Sequence, residues 1–438
     1  MQDILFNYQR INPTTWVYLS SLLTIALYFK FGRLWSVRNF DLIGLILFAP
    51  GLLLEVYGRE KNMDFIEHAG YVWLFCVGGV FLVRLLLDAV MVRRPLLDPN
   101  LSVGGMTFIG VSLLIFLMAN IANSNPEDLD LPGSQVAQDN AGVGASRTAP
   151  TNLKKHGPRF PWFEVLPNIV TQRFFISNQS ENEPTPRTTA DMYSITTARA
   201  LAILSHLAIV IGMIWIGLRH FDNIRSGIAA AVLYLLLPYT AEMTGHLQHV
   251  LPAAVLVWAF VFYRLPLVAG LLIGLAIGLI YYPMYLLPLW ISFYFARGAV
   301  RFLIGVLAAL GVLILLLATI GFGPEPFLDQ LRQMLGLQMF SFENLRGFWE
   351  HPSIHPEYRL PVFALFVALC GSFALWPAQK HLGTLLSCSA VVMLGTQFWQ
   401  SYEGGLYMAW YLPLTLLTIF RPNLEDRLAK ENVRAGWI

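Results

Sequence analysis

Charged residues are scarce in this sequence. Only 13% of its 438 residues are Asp, Glu, Lys or Arg, 56% are hydrophobic, and the mean hydropathy is +0.57. A single water-soluble core cannot bury that much apolar surface, because soluble proteins carry about twice this share of charge, roughly 25%. The net charge of +2 is spread over many short segments, which excludes a basic surface for nucleic acid. The composition therefore indicates an integral membrane protein.

Cysteine is equally rare. Cys76, Cys370 and Cys388 each lie inside an apolar run and show no paired spacing, which excludes a disulfide framework and a thiolate metal site. We expect them to pack as small apolar side chains. The glycine-rich motifs G-x-x-x-x-G-K-[ST] and G-x-G-x-x-G are also missing, so the sequence gives no sign of a nucleotide site.

Long apolar runs are abundant. A helix needs about 20 residues to cross the hydrocarbon core, and backbone in lipid must satisfy its own hydrogen bonds. The runs predict an all-α, polytopic integral membrane protein of about 13 transmembrane helices. The predicted spans lie near 15–29, 41–57, 68–88, 101–122, 193–218, 226–243, 247–263, 265–282, 283–296, 301–321, 360–378, 382–400 and 405–420. The span at 283–296 is short and begins at Pro283, a pattern that also fits half of a broken helix.

Cations divide unevenly between the two predicted sides. With the amino terminus outside, 16 Lys and Arg fall on cytoplasmic segments, against three on short outer segments (Arg10, Arg59 and Lys61). Positive residues in short loops resist translocation, so the carboxyl terminus is predicted to be cytoplasmic, in the plasma (inner) membrane of a bacterium. The cytoplasmic cations are Lys30, Arg33, Arg38, Arg84, Arg93, Arg94, Arg219, Arg225, Arg264, Arg297, Arg301, Lys380, Arg421, Arg427, Lys430 and Arg434.

Two long loops fall outside in this topology, at 123–192 and 323–359. The first opens with a Pro-, Gly-, Ser- and Asn-rich stretch that predicts disorder, and continues into an aromatic stretch suited to a membrane surface. In the second, Phe327, Leu331 and Met334 have helical spacing, which predicts an interfacial amphipathic helix. The chain thus divides into helices at 1–122 with an outer loop at 55–67, a central bundle at 193–322, and helices with a cytoplasmic tail at 360–438.

The segment from Pro238 to Arg301 contains GHLQHVLPA, AGLLIGLAIGL, YYPMYLLPLW and ARGAVR in that order. In this succession it resembles the central stretch of membrane-embedded C-type glycosyltransferases, most of all the polyprenyl-phosphate-mannose-dependent family 87. The resemblance covers about a seventh of the chain. Tyr281 and Tyr282 stand where that family usually has a basic residue at the break.

The resemblance implies a catalytic carboxylate in the first outer loop that follows a transmembrane helix, where it deprotonates an acceptor hydroxyl. The loop EVYGREKNMDFIEH fits, although an extra helix precedes it. Asp64 is the first candidate for the base, with Glu55 and Glu67 beside it, because partial desolvation at an interface raises the pKa of a carboxyl. The alternative is a solvated loop in which these acids pair with Arg59 and Lys61.

Several further polar side chains are candidates for contact with a phosphate or a sugar. Glu242, His246 and His249 share one face if helical, Arg199 lies inside an apolar run, and the second long loop offers guanidinium and imidazole groups. The substrate-binding candidates are Glu242, His246, His249, Arg199, Arg346, His351, His355 and Arg359. No metal ligand set and no cofactor are predicted, because the helical cluster supplies only Glu242 as a third ligand.

The sequence therefore predicts a glycosyltransferase that moves a sugar from a polyprenyl-phosphate donor to an acceptor on the outer face. Its expected partners are the lipid-linked donor and membrane lipid, with no nucleic acid. Two other classes stay open: a transporter or flippase, in which a broken helix around Pro283 and Pro288 lines a midplane site, and a membrane scaffold without catalysis.

Overall fold

The protein is described from a computed structural model that covers residues 12–91, 97–124, 160, 162–163, 186–320, 327–337 and 345–433. These residues form an all-α structure without a β-strand. Five of the described helices are long and apolar enough to cross a membrane: Val37–Lys61, Asp64–Asp88, Val103–Ala122, Ile195–Arg219 and Ala299–Thr319. Large apolar side chains point away from the protein, such as Phe108 (75% exposed) and Leu307 (67% exposed). The architecture is therefore compatible with a membrane-embedded protein.

The helices are numbered here in chain order. They are α1 (Pro13–Tyr28), α2 (Val37–Lys61), α3 (Asp64–Asp88), α4 (Val103–Ala122), α5 (Pro186–Arg219), α6 (Ile224–Leu236), α7 (Pro238–Glu242), α8 (Leu247–Val261), α9 (Pro266–Leu279), α10 (Leu287–Tyr294), α11 (Ala299–Ile320), α12 (Phe327–Met334), α13 (Arg359–Ser372), α14 (Leu382–Gly395), α15 (Leu412–Phe420) and α16 (Ala429–Asn432). Every apolar run predicted to be a span overlaps at least one of them. Several helices are shorter than the runs, so the number of spans stays a prediction.

Helix ends follow from local chemistry. The side chains of Ser36 and Ser102 accept hydrogen bonds from the backbone N–H three residues later and so cap α2 and α4. Asn62 ends α2 in the left-handed conformation, with φ 52°, which Asn adopts more readily than most residues. Because α3 begins two residues later at Asp64, α2 and α3 form a tight helical hairpin.

The ends of the helices gather at two opposite ends of the bundle. At one, here called the Glu55 end, Arg59 reaches Glu403, and the Trp410 indole donates to the Gln248 carbonyl at 3.0 Å. At the other, the Asp88 end, Arg421 pairs with Asp88 at 2.7 Å. The loops of the amino-terminal and carboxyl-terminal thirds of the chain therefore meet at both ends.

The break expected at Pro283 is present. After α9 the chain forms a 3₁₀ turn at Tyr282–Leu286 and then α10, whose Tyr294 hydroxyl donates to the Tyr263 carbonyl at 2.5 Å. Tyr263 lies just before the start of α9, so α10 returns the chain to the Asp88 end. α9 and α10 are thus two short arms joined at an irregular turn.

Three details of the helices bear on the predictions made from the sequence. Arg84 lies inside α3, one turn before its end, and not in a loop. Cys76 is exposed on the side of α3, whereas Cys370 and Cys388 are buried as expected. The amphipathic helix expected in the second long loop exists as α12, with Met334 buried against the bundle. Most of the first long loop lies outside the described residues.

Candidate functional site

Glu55 is a completely buried carboxylate, 0% exposed, near the carboxyl-terminal end of α2. Arg59 lies one turn later on the same helix and forms an ion pair with it. Among the described residues neither oxygen of Glu55 has a further hydrogen-bond donor. A buried charge is costly unless it is paired, so the ion pair with Arg59 is what makes this position tolerable.

Two glycines let α2 and α3 approach closely around this carboxylate. A Cβ on Gly58 would lie 2.3 Å from the backbone nitrogen of Glu67, and a Cβ on Gly70 would lie 2.7 Å from that of Glu55. Both distances are far below van der Waals contact. The backbones of the hairpin therefore touch where Glu55 lies, and water is kept away from it.

Arg59 links the hairpin to the carboxyl-terminal part of the chain. Its Nη2 donates to Glu403 Oε1 at 3.3 Å and to the Tyr71 hydroxyl at 3.4 Å. Arg346 Nη1 lies 3.8 Å from the same Glu403 oxygen. Two guanidinium groups thus share one carboxylate, and the electrostatic influence of both reaches Glu67.

The loop that carries Glu403 is held in place by its backbone. The Arg346 N–H donates to the Ser401 carbonyl at 2.9 Å, and the Glu403 N–H donates to the Arg346 carbonyl at 3.3 Å. The side-chain oxygen of Gln397 accepts from the N–H of Gly405 at 3.1 Å. Arg346 and Glu403 are therefore positioned by main-chain contacts, independently of their own ion pair.

Tyr402 adds a neutral donor to this cluster. Arg346 Nη1 donates to its hydroxyl at 3.5 Å, and burial raises the pKa of Tyr402 to about 12. The phenol therefore stays protonated at neutral pH and can donate its own hydrogen to an anion. We call Glu55, Arg59, Glu67, Tyr71, Arg346, Tyr402 and Glu403 the Glu55 cluster.

A second polar group lies nearby, at the start of α8. His249 is 6% exposed, its Nδ1 lies 2.7 Å from the Tyr239 hydroxyl, and its ring stacks on Tyr407 with 4.4 Å between centroids. The rings of His246 and His249 are 5.3 Å apart. These contacts fix His249 as part of the packed bundle, while His246 remains half-buried.

A small apolar cavity of about 30 Å³ opens between α1, α2, α4 and α7. Glu242 lies in its wall, and the charge of Glu242 acts on Glu55. Most of the remaining wall is apolar. It includes Trp16, Leu52, Leu53, Val56, Phe116 and Pro238. An apolar surface therefore lies beside Glu242, close enough to the buried carboxylate for the charge of Glu242 to act on it.

The other predicted site residues make their contacts with residues outside the Glu55 cluster. Asp64 is exposed at the first position of α3, and His355 is exposed as well. His351 stacks on His68 with 4.0 Å between centroids. Arg359 is buried and donates to the Trp399 carbonyl at 3.1 Å, while Arg199 donates to the Ser124 carbonyl at 2.5 Å. In the described part of the chain no three His, Cys, Asp or Glu side chains converge as a metal site would need.

Of the predicted residues, the structure thus brings Glu55, Glu67 and Arg346 together. Sequence reasoning missed Tyr71, Tyr402 and Glu403, and it treated Arg59 only as a partner for neighbouring acids. One sequence feature could have identified Glu403: it is the only charged residue between 382 and 420, and it precedes two glycines. A lone acid in an apolar stretch tends to mark function.

Comparisons with known proteins add no family. The chain matches no family model, no curated protein and no solved structure.

Proposed function

We propose that this protein is a membrane-embedded glycosyltransferase that moves a sugar from a polyprenyl-phosphate donor to an acceptor hydroxyl at the Glu55 end. The observation that carries the proposal is one buried carboxylate paired with Arg59, which shares Glu403 with Arg346 and lies near an apolar surface. These are parts that transfer from a lipid phosphate requires: a base, a site for the anion and an apolar surface for a hydrocarbon chain.

In this proposal Glu55 is the general base. Its carboxylate takes the proton of the acceptor hydroxyl while the acceptor oxygen bonds to the anomeric carbon of the sugar. The bond between that carbon and the phosphate oxygen breaks, and the lipid phosphate leaves with the electron pair. Asp64, the first candidate from the sequence, stays a prediction; its side chain is exposed, whereas that of Glu55 is buried.

Arg59 and Arg346 bind the donor phosphate in this scheme. Guanidinium forks suit the paired oxygens of a phosphate, and both groups already lie against one anion, the Glu403 carboxylate. A donor phosphate that engages Arg59 would compete with Glu55 for it. Donor binding would therefore free the base at the moment when it is needed.

We further propose that the Glu55 end faces the outside of a bacterial plasma membrane, with 13 spans and a cytoplasmic carboxyl terminus. Two findings support this orientation. Successive helices bring their ends alternately to the two ends of the bundle, and cations outside the helices, such as Arg421 and Arg427, lie at the Asp88 end.

The first test replaces Glu55 with Gln, which keeps the size and removes the base. The purified full chain in proteoliposomes is given a panel of radiolabelled polyprenyl-phosphate sugars, and the product is measured. We expect Glu55→Gln to transfer about 100- to 10,000-fold more slowly than the wild type, the range that general bases contribute.

Glu60→Gln is the matched control, because Glu60 lies on the same helix and is exposed. It should transfer at the wild-type rate, and equal elution profiles in detergent would show that both variants fold. Equal rates for Glu55→Gln and Glu60→Gln would contradict Glu55 as the base. Absence of transfer by the wild type from every donor would contradict the glycosyltransferase proposal itself.

A transporter or flippase is the second candidate, and the break between α9 and α10 favours it. Transporters build midplane sites from such discontinuous helices. Here the break packs aromatic groups, with the Tyr281 hydroxyl donating to that of Tyr282 at 2.9 Å. Movement of a fluorescent lipid-linked sugar across the same proteoliposomes, without transfer, would identify this activity.

A further inference from the structure

A second cleft lies at the Asp88 end, away from the Glu55 cluster. It has a volume of about 350 Å³ between the end of α5, the end of α8 and the start of α9, and it is lined by Trp215, Arg219, His220, Phe262, Arg264 and Asn432. We call it the Arg219 cleft. Its volume lies in the range of small-molecule and headgroup sites.

The two arginines of this cleft carry charge that the described protein does not neutralise. Arg219 is exposed and Arg264 is half-buried, and in the described part of the chain neither has a carboxylate at ion-pair distance. Arg264 Nε donates only to the Tyr263 hydroxyl, at 3.3 Å. The acid nearest to Arg219 in sequence, Asp222, is instead paired with Arg427. Two guanidinium groups that line one cleft and have no carboxylate partner among the described residues form a site for an anion.

The histidine in the wall of the cleft is buried and uncharged. His220 is 4% exposed, its Nε2 lies 2.9 Å from the Val261 carbonyl, and burial lowers its pKa to about 4. The imidazole is therefore neutral at physiological pH and donates from Nε2, which ties the end of α5 to the end of α8. The positive charge in the cleft consequently comes from its arginines.

An apolar track leads away from the cleft along α5. Five exposed side chains repeat every three or four residues and so form one outward face of the helix. They are Leu204 (58% exposed), Leu207 (37%), Ile211 (43%), Trp215 (47%) and Leu218 (48%). Trp215 lies at the junction with the cleft, and tryptophan favours the level of the lipid headgroups. The track has the length and position of an acyl chain whose headgroup occupies the cleft.

We propose that the Arg219 cleft binds one anionic phospholipid, with its phosphate between Arg219 and Arg264 and its acyl chains along the track on α5. Basic pockets between helices at the cytoplasmic side of membranes are suited to anionic headgroups. The proposal is independent of the proposed glycosyl transfer, because none of these residues belongs to the Glu55 cluster.

The test measures lipid retained by the purified full chain in a neutral detergent, by native mass spectrometry. Phosphatidylglycerol is compared with phosphatidylcholine of the same acyl chains and with glycerol phosphate, which has no acyl chains. We expect one phosphatidylglycerol molecule to be retained, and neither of the other two probes. The variant carrying Arg219→Gln and Arg264→Gln should bind it about 100-fold more weakly, which counts a factor of ten, or about 1.4 kcal/mol, for each guanidinium removed.

Arg33→Gln is the matched control, since Arg33 is exposed, carries the same charge and lies in the loop between α1 and α2 at the same end. It should retain the lipid as the wild type does. An equal loss in Arg33→Gln would mean diffuse attraction to the basic end and would overturn the site. Retention of phosphatidylcholine would overturn the anionic specificity, and equal binding of glycerol phosphate would overturn the role of the acyl chains.

Discussion

At the scale of single residues, the two ends of the bundle hold buried charges in different ways. At the Asp88 end, Arg84 contacts both oxygens of Asp41, at 2.7 and 2.8 Å, and Asp88 pairs with both Arg84 and Arg421, at 3.2 and 2.7 Å. Two acids and two arginines thus pair with one another. In the Glu55 cluster Arg59 instead contacts two carboxylates, those of Glu55 and Glu403, so a phosphate that binds Arg59 must take the place of one of them.

The buried ion pairs at the Asp88 end lead to a stability prediction. Asp88 is 1% exposed, and Asp88→Asn leaves Arg421 buried without its carboxylate. Removal of one partner from a buried pair costs about 3–5 kcal/mol. We expect a lower midpoint of thermal unfolding for this variant in detergent, measured by intrinsic tryptophan fluorescence.

Asp426→Asn provides the comparison, because Asp426 pairs with Arg427 at the same end but is 71% exposed. Exposed pairs contribute about 0–1 kcal/mol, so its unfolding midpoint should stay near that of the wild type. If both variants unfolded at the same temperature, burial would not be what makes the Asp88 pair important.

At the scale of elements, the α2–α3 hairpin depends on close contact between backbones. Gly58→Ala would place a methyl group 2.3 Å from the backbone nitrogen of Glu67, and the backbone cannot move as a flexible side chain can. The helices must separate next to Glu55, at a cost of about 1–3 kcal/mol. We expect a lower unfolding midpoint together with a loss of sugar transfer.

Gly79→Ala distinguishes this packing effect from helix propensity. Gly79 lies in α3 with open space around its Cβ position, so the same change should stabilise the helix by about 0.5–1 kcal/mol. Full activity in Gly58→Ala would show that the separation of the helices does not reach the site.

The sequence predicts where the helices lie more accurately than it predicts how long they are. Each apolar run that was predicted to be a span overlaps at least one helix, because hydrophobicity and backbone hydrogen bonding act locally. They do not show where a run stops being helical. In the run at 405–420, α15 begins only at Leu412, because residues 399–407 instead form a loop that Gln397 holds in place.

The site is harder to predict for a related reason. Glu55, Arg59 and Glu67 lie within one hairpin, so they are close in sequence and the charged loop 55–67 predicts that they lie together. Glu403 is 344 positions from Arg59, and no local pattern shows that the two meet. The choice between Asp64 and Glu55 depends on burial, which follows from the contact between Gly70 and the Glu55 backbone and not from the loop sequence.

At the scale of the whole molecule, the proposed chemistry requires the two ends to face different compartments. The Glu55 cluster must reach an acceptor outside, whereas the Arg219 cleft needs the anionic headgroups of the inner leaflet. Both requirements are met by one orientation, in which Lys61 lies outside and Glu425 lies inside. Both residues are exposed, so each can report on its compartment.

The test places a single cysteine at each end after Cys76, Cys370 and Cys388 are replaced by Ala. In intact cells, a membrane-impermeant maleimide should label Lys61→Cys, and it should label Glu425→Cys only after the membrane is opened. The thiol is the same in both variants, so a difference in labelling reports the side of the membrane and not reactivity. The reverse pattern would place the Glu55 cluster in the cytoplasm and the Arg219 cleft at the outer surface, where neither proposed ligand is expected. Labelling of both cysteines in intact cells would contradict the assignment of the two ends to opposite sides of the membrane.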